Sequence, residues 1–220
     1  MIGTQELSRV VNNNGGNLLD AINIDDIRTY VRLRKWLQEE NVAENTDFQD
    51  AFRNYYSIGG VGVNKEFIQR YFEILEAHKG DETFSFRQVS KELLGARPKR
   101  KLSSAQFAYL AKMANIIDGS SYPIYDNHIA DLFEFDKPIQ SKLDSRERMN
   151  IYLNFYGDVQ KMYAEILEEK LIRDTLVVFK ILLKKYVNEE YPEYRLSDMK
   201  KLDFLVDAIG KMKGKLVKAR

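Results

Sequence analysis

The chain has 220 residues, 44% of them apolar and 30% charged, with a formal net charge of +1. Those values fit a soluble globular chain of one domain or two small lobes, and bulk charge points to no nucleic-acid or membrane partner, so any such case rests on local clusters. With no cysteine and two histidines fifty residues apart, disulfides, thiolate zinc sites, iron–sulfur clusters and a thiol nucleophile are excluded, and the expectation is no metal and no other cofactor.

At the N-terminus, MIGTQELSRVV has no long apolar core. No run of about 18 apolar residues follows, so a cytoplasmic chain without a membrane partner is expected. Over residues 24 to 38, Ile27, Tyr30, Val31, Arg34 and Leu37 recur at helical spacing. Thr46 followed by Gln49 reads as a capping box opening a helix with Phe48, Phe52 and Tyr55. GGVG at 59–62 breaks the chain, and Asn64 caps the next helix, whose stripe is Phe67, Ile68, Tyr71, Phe72 and Leu75. HKGD at 78–81 is a turn. Ser85 with Gln88 forms a second box before Leu93 and Leu94. Ser103 with Gln106 forms a third, opening a helix with Phe107, Leu110 and Met113.

In the second half, Tyr152, Phe155, Tyr156, Val159, Met162, Tyr163, Ile166 and Leu167 sustain two helical faces. Residues 171–187 are apolar enough for a buried helix, with some strand character at Val177, Val178 and Phe179. Pro192 ends that segment, and Ser197 caps a last helix with Leu202, Leu205, Val206 and Ile209. No hairpin signal joins two alternating runs, so the expected class is all-α, with roughly nine or ten helices of ordinary length. Boundaries fall near 78–84 or 134–146, giving a single helical domain with possible lobes 1–83 and 84–220.

Several stretches bear on function. GGVGVNK at 59–65 imitates a phosphate loop, but no strand precedes it and no Gly-Lys-Ser/Thr follows, so it reads as a turn between helices. In ARPKRKLSS, residues 96–104, Arg97, Lys99, Arg100 and Lys101 lead into the capped helix at Ser103 and Ser104. That is either a solvated loop or a phosphate seat at a helix N-terminus. The tail from Lys211 to Arg220 has five basic residues and no acid; a frayed end reads better there than a strand-tracking arm. Lys112 lies between apolar neighbours late in its helix, so it is a snorkelling surface lysine or a partly buried amine of lowered pKa. Asp126 ends the apolar run Tyr122-Pro123-Ile124-Tyr125 and precedes a helix, where it is an N-cap, a catalytic carboxylate, or both. His128 follows two positions on.

PIYDNHIADL, residues 123–132, resembles a motif of the helix-hairpin-helix DNA glycosylase superfamily, in which a Pro-Ile-apolar-Asp run ends in the acid that supports cleavage of the glycosidic bond. AKMANIIDGSSYPIYD at 111–126 and YPEYRLSDMKKLDFLVDAIG at 191–210 are similar to segments of a group of uncharacterised bacterial proteins with a glycosylase-like fold. The likeness covers residues 84–210. It implies a two-lobed fold with a central cleft, DNA as partner and a role in DNA repair. Asp126 would be the catalytic acid and Lys112 the amine nucleophile of a glycosylase/lyase, fourteen residues upstream and so closer than the family spacing. Tyr109, Tyr122 and Tyr125 become candidates to stack on an extruded base. Arg97, Lys99, Arg100, Lys101, Ser103, Ser104 and His128 become candidate DNA contacts. The family's Gly-apolar-Gly hairpin is missing, since no glycine lies between Arg97 and Asp118. A non-catalytic nucleic-acid-binding protein on this scaffold and a helical protein-interaction module are the alternatives.

Overall fold

In a computed structural model of the protein, which describes residues 2–59, 63–95, 104–139, 142–192 and 194–216, every regular element is an α-helix. The order among those residues is α1 (Thr4–Ala21), α2 (Ile24–Glu39), α3 (Thr46–Tyr55), α4 (Lys65–His78), α5 (Phe86–Gly95), α6 (Ser104–Ile117), α7 (Asn127–Leu132), α8 (Ser145–Glu168), α9 (Arg173–Tyr186) and α10 (Asp198–Leu216). No helix among the described residues is long and apolar enough to cross a membrane.

The helices start where short polar side chains replace missing intrahelical partners. Asn23, Asn45, Asn64 and Asp126 each accept a backbone N–H from the first turn of α2, α3, α4 and α7. Asp144 and Glu147 make a complete capping box at α8. Each such cap contributes about 1 kcal/mol. The expected box at Thr46 is not formed. Asn45 is the cap, one residue earlier, and Gln49 reaches back to the carbonyls of Val42 and Ala43. The box at Ser85 is half formed, with Ser85 accepting from Gln88 N at 3.4 Å while the Gln88 amide goes to Glu92. Ser103 lies outside the described residues, as do Gly60, Val61 and Gly62 of the 59–65 stretch.

The core gathers around α6. Every residue from 107 to 117 is buried, Lys112 and Asn115 included, as expected of a helix that is apolar nearly all round. Phe107 stacks on Tyr152 of α8 at 4.8 Å and on Phe86 of α5 at 5.6 Å, with Tyr125 edge-on at 5.1 Å. A second aromatic group, Phe48, Phe52, Tyr56, Tyr71 and Phe72, joins α3 to α4. The first helix lies with the last ones: α1 packs on α8, α9 and α10, while α2 packs on α3 and α6, and α7 on α10.

Two expectations need correction. Residues 171–187 hold a helix rather than a strand, but it is not buried. Val177, Val178 and Ile181 are 48%, 47% and 62% exposed, because the helix turns one face, with Thr175, Leu176, Phe179 and Leu183 buried, to the body. It ends at Tyr186, before Pro192 is reached. Helix α1 runs through an NNNGG segment whose residues favour turns, with Leu7, Val11, Leu18 and Leu19 burying one face of it.

Candidate active site

Lys112 sits on the buried face of α6 and is 8% exposed. Its Nζ donates to the Tyr56 carbonyl at 2.6 Å. That carbonyl is free because α3 ends there. Tyr56 is the C-cap, and Ser57 turns the chain with φ of 50° so that Ile58 N can close back on Arg53 O at 2.8 Å. The Tyr109 ring lies 5.9 Å from Nζ. Burial pushes the amine below the ordinary lysine range, and the Asp126 carboxylate partly offsets this. Lys112 is therefore the partly buried amine of the two readings above.

Asp126 ends the loop that joins α6 to α7. The loop is held along its length. Asn115 Nδ2 donates to Tyr122 O at 2.6 Å, Ile124 N donates to Asp203 Oδ1 at 2.8 Å, and the Tyr156 hydroxyl donates to Pro123 O. Gly119 is required there, since a Cβ would lie 2.2 Å from the Tyr30 hydroxyl. Asp126 Oδ1 accepts from Ile129 N at 2.9 Å, so the carboxylate is the N-cap of α7. The same bond fixes its direction. Its other oxygen makes no hydrogen bond among the described residues.

Lys112 and Asp126 line one cavity of about 340 Å³, with no direct ion pair between them. His128 lines it too, exposed at the second position of α7, with its Cβ close against Gly210 of α10. Further walls that the sequence did not point to include Asp26, Tyr55, Tyr56, Phe204 and Asp207, and Lys211 from the start of the basic tail joins them. Burial raises the Asp207 pKa, Lys211 at 2.7 Å opposes that, and Asp126 and Asp203 add to it. Three carboxylates against two amines make the cavity a place where a developing positive charge is favoured. Among the described residues no group of three or more acidic, histidine or cysteine side chains is arranged to hold a metal ion.

The other candidates fall elsewhere. Tyr125 is wholly buried among Phe107, Phe135, Tyr152 and Phe155, so in this conformation it has no face left for a base. Tyr122 is half-buried against Phe84 and Phe86, and its hydroxyl accepts from Phe84 N at 3.0 Å. Tyr109 is buried, donates to Gly59 O at 3.0 Å and meets the cavity only through Lys112. Tyr55, Tyr56 and Phe204 are the aromatic walls instead. Arg97, Lys99, Arg100, Lys101 and Ser103 lie outside the described residues, and Ser104 is described only as the first residue of α6.

One legible signal was missed. Lys200, Asp203, Asp207 and Lys211 form a charged stripe at helical spacing along α10. Asp207 and Lys211 line the cavity, and Asp203 holds the Asp126 loop. Compared with known proteins, the chain matches no family model, no curated protein and no solved structure.

Proposed function

We propose that the chain is a DNA glycosylase-like enzyme that excises a base, with Lys112 as the amine nucleophile and Asp126 as the carboxylate that supports it. On this reading the helices form a two-lobed, glycosylase-like scaffold over a central cleft and serve DNA repair. The observation that carries the reading is that an amine of lowered basicity and a rigidly held carboxylate line the same cavity. A volume of about 340 Å³ lies at the low end of the range of small-ligand sites, ~300–1,000 Å³, suited to one flipped base or sugar.

The neutral Lys112 amine attacks the sugar C1′ with its lone pair. The C1′–N bond to the base breaks, and its electron pair leaves with the base. Asp126 stabilises the positive charge that builds on the sugar and accepts a proton from the newly bonded nitrogen. That proton returns to the departing base, so the base leaves neutral. Opening of the C1′–O4′ bond, with a proton taken up from solvent by the ring oxygen, then yields an iminium between Lys112 and the sugar. On DNA already carrying an abasic site, the aldehyde condenses directly with the amine and releases water.

Borohydride reduction in the presence of such DNA tests this. The expected result is a stable protein–DNA adduct with the native chain and none with Lys112→Met. No adduct from the native chain, or an undiminished one from the variant, defeats the proposal. A second reading has its own support. The 2.6 Å bond from Nζ to Tyr56 O also gives Lys112 a structural task, tying α6 to the end of α3 in a protein that binds nucleic acid without chemistry. Salt-dependent DNA binding without trapping would favour that reading.

A further inference from the structure

Away from the Lys112 cavity, a groove of about 540 Å³ runs between α5 and the start of α8. Its polar lining is Arg87, Ser90 and Lys91 from one face of α5, at positions i, i+3 and i+4, and Ser145, Arg146 and Asn150 from the first turns of α8. Met149 is its apolar floor. Among the described residues no carboxylate lines it. Arg87, Lys91 and Arg146 are exposed, and none of the three makes an ion pair among the described residues.

This contrasts with the other basic surface, beside α9 and α10, where Asp198 pairs with both Lys180 and Lys201. Asn150 adds a side-chain amide with no hydrogen bond among the described residues, its Oδ1 buried without a partner. The helix N-terminus is not the attraction, because Asp144 already takes the N–H groups of Arg146 and Glu147 at 2.7 and 2.8 Å. What remains is three uncompensated cations converging from two helices on one concavity. Holding them together without a counter-charge costs free energy that a bound anion recovers. Two guanidiniums suit the forked geometry of phosphate oxygens better than ammonium groups alone do.

We propose that this groove binds phosphate oxyanions, those of a nucleic-acid backbone in preference to free phosphate. In the sequence, the end of α5 runs straight into Arg97, Lys99, Arg100 and Lys101, so the charge continues along the chain as a polyanion partner requires. The choice of nucleic acid rests on the reading above, but not on its chemistry. A chain that fails to trap abasic DNA can still pass the test below, and one that traps it can fail.

The test uses the full chain and a short fluorescent DNA duplex, with anisotropy read across a salt series. The Arg87→Gln/Lys91→Gln/Arg146→Gln variant is compared with Lys180→Gln/Lys184→Gln/Arg195→Gln, which removes equal charge elsewhere. All six side chains are exposed, so both variants should fold, as circular dichroism checks. The groove variant should lose about tenfold or more in affinity at low salt, and its log–log salt slope should fall by about 2–3. The control should keep most of its binding. In a second arm, pyrophosphate competes. Displacement of the duplex at low millimolar pyrophosphate, or pyrophosphate binding that depends on the same residues without duplex binding, assigns the groove to free phosphate compounds. If neither probe binds, or if both variants lose affinity equally, the groove is not a phosphate site.

Discussion

Asp126 is the N-cap of α7 and, in the proposal above, the acid of the cavity; a single substitution can separate the two. As the N-cap of α7 it needs only an acceptor oxygen, and asparagine supplies one as well as aspartate does. As the acid of the cavity it needs the negative charge. Asp126→Asn should therefore leave the melting midpoint within a degree or two of the native chain while abolishing base excision. Asp126→Ala should cost about 1 kcal/mol of stability as well. Denaturant melts beside an excision assay check both, and excision that survives in Asp126→Asn would refute the catalytic role. Lys112 shows a different tension. Its pKa is lowered by burial, so in the unfolded chain it holds its proton more tightly. Its contribution to stability therefore grows as pH rises from the folded toward the unfolded value, the same change that frees its lone pair for the proposed attack.

At the scale of elements, the turn between α4 and α5 is built on His78. This side chain is 7% exposed as a residue and lies between two carboxylates, Nδ1 at 2.6 Å from Asp81 and Nε2 at 3.1 Å from Glu92. Burial pulls its pKa down, but the hydrogen bonds to Asp81 and Glu92 raise it further than burial lowers it, so the net shift is upward from 6.5. For Glu92, burial pushes up and the His78 and Gln88 bonds pull down, leaving it below 4.5. A raised histidine contributes stability that is full below its unfolded pKa and is lost as pH climbs through the folded one. A depressed carboxylate contributes above its unfolded pKa and loses it as pH falls through the folded one. The clasp should thus be strongest between about pH 4.5 and 6.5. His78→Gln should destabilise most in that window and progressively less above it, as urea melts at pH 5.5 and pH 8.5 would show. An equal difference at both pH values would mean that the clasp is not ionic. The HKGD turn itself was legible in the sequence. The clasp was not, because Glu92 lies fourteen residues on and on another helix.

Across the whole molecule, a buried polar knot ties the site to the frame. Lys200 Nζ donates to Asp203 and to Asn115 Oδ1, both at 2.7 Å, and lies 4.4 Å from the Tyr30 ring centroid. Tyr56 also donates to Asn115 Oδ1, and Asp203 holds Ile124 N. Four separated segments therefore share one network, and a half-removed network leaves an unpaired charge in the interior. Asp203→Ala should cost about 3–5 kcal/mol, whereas Lys200→Met with Asp203→Leu should cost clearly less. Equal losses in chemical denaturation would show that the pair contributes little.

The all-helical class and the caps at Asn64 and Asp126 could be anticipated, because each follows from local periodicity or from a single short motif. The cavity walls could not, since Asp26, Tyr55, Tyr56 and Phe204 reach it only by packing of distant helices. The 120s tyrosines misled for a related reason. Alternation along Tyr122-Pro123-Ile124-Tyr125 says nothing about which ring turns inward, and the core around Phe107 claimed Tyr125.

The most direct measurement is to locate the bond itself. After borohydride reduction with abasic DNA, nuclease and protease digestion followed by mass spectrometry should find the sugar remnant on Lys112. It should form at a pH below that needed by an exposed lysine. A remnant spread over surface lysines, or found unchanged when Lys112 is methionine, would contradict the account.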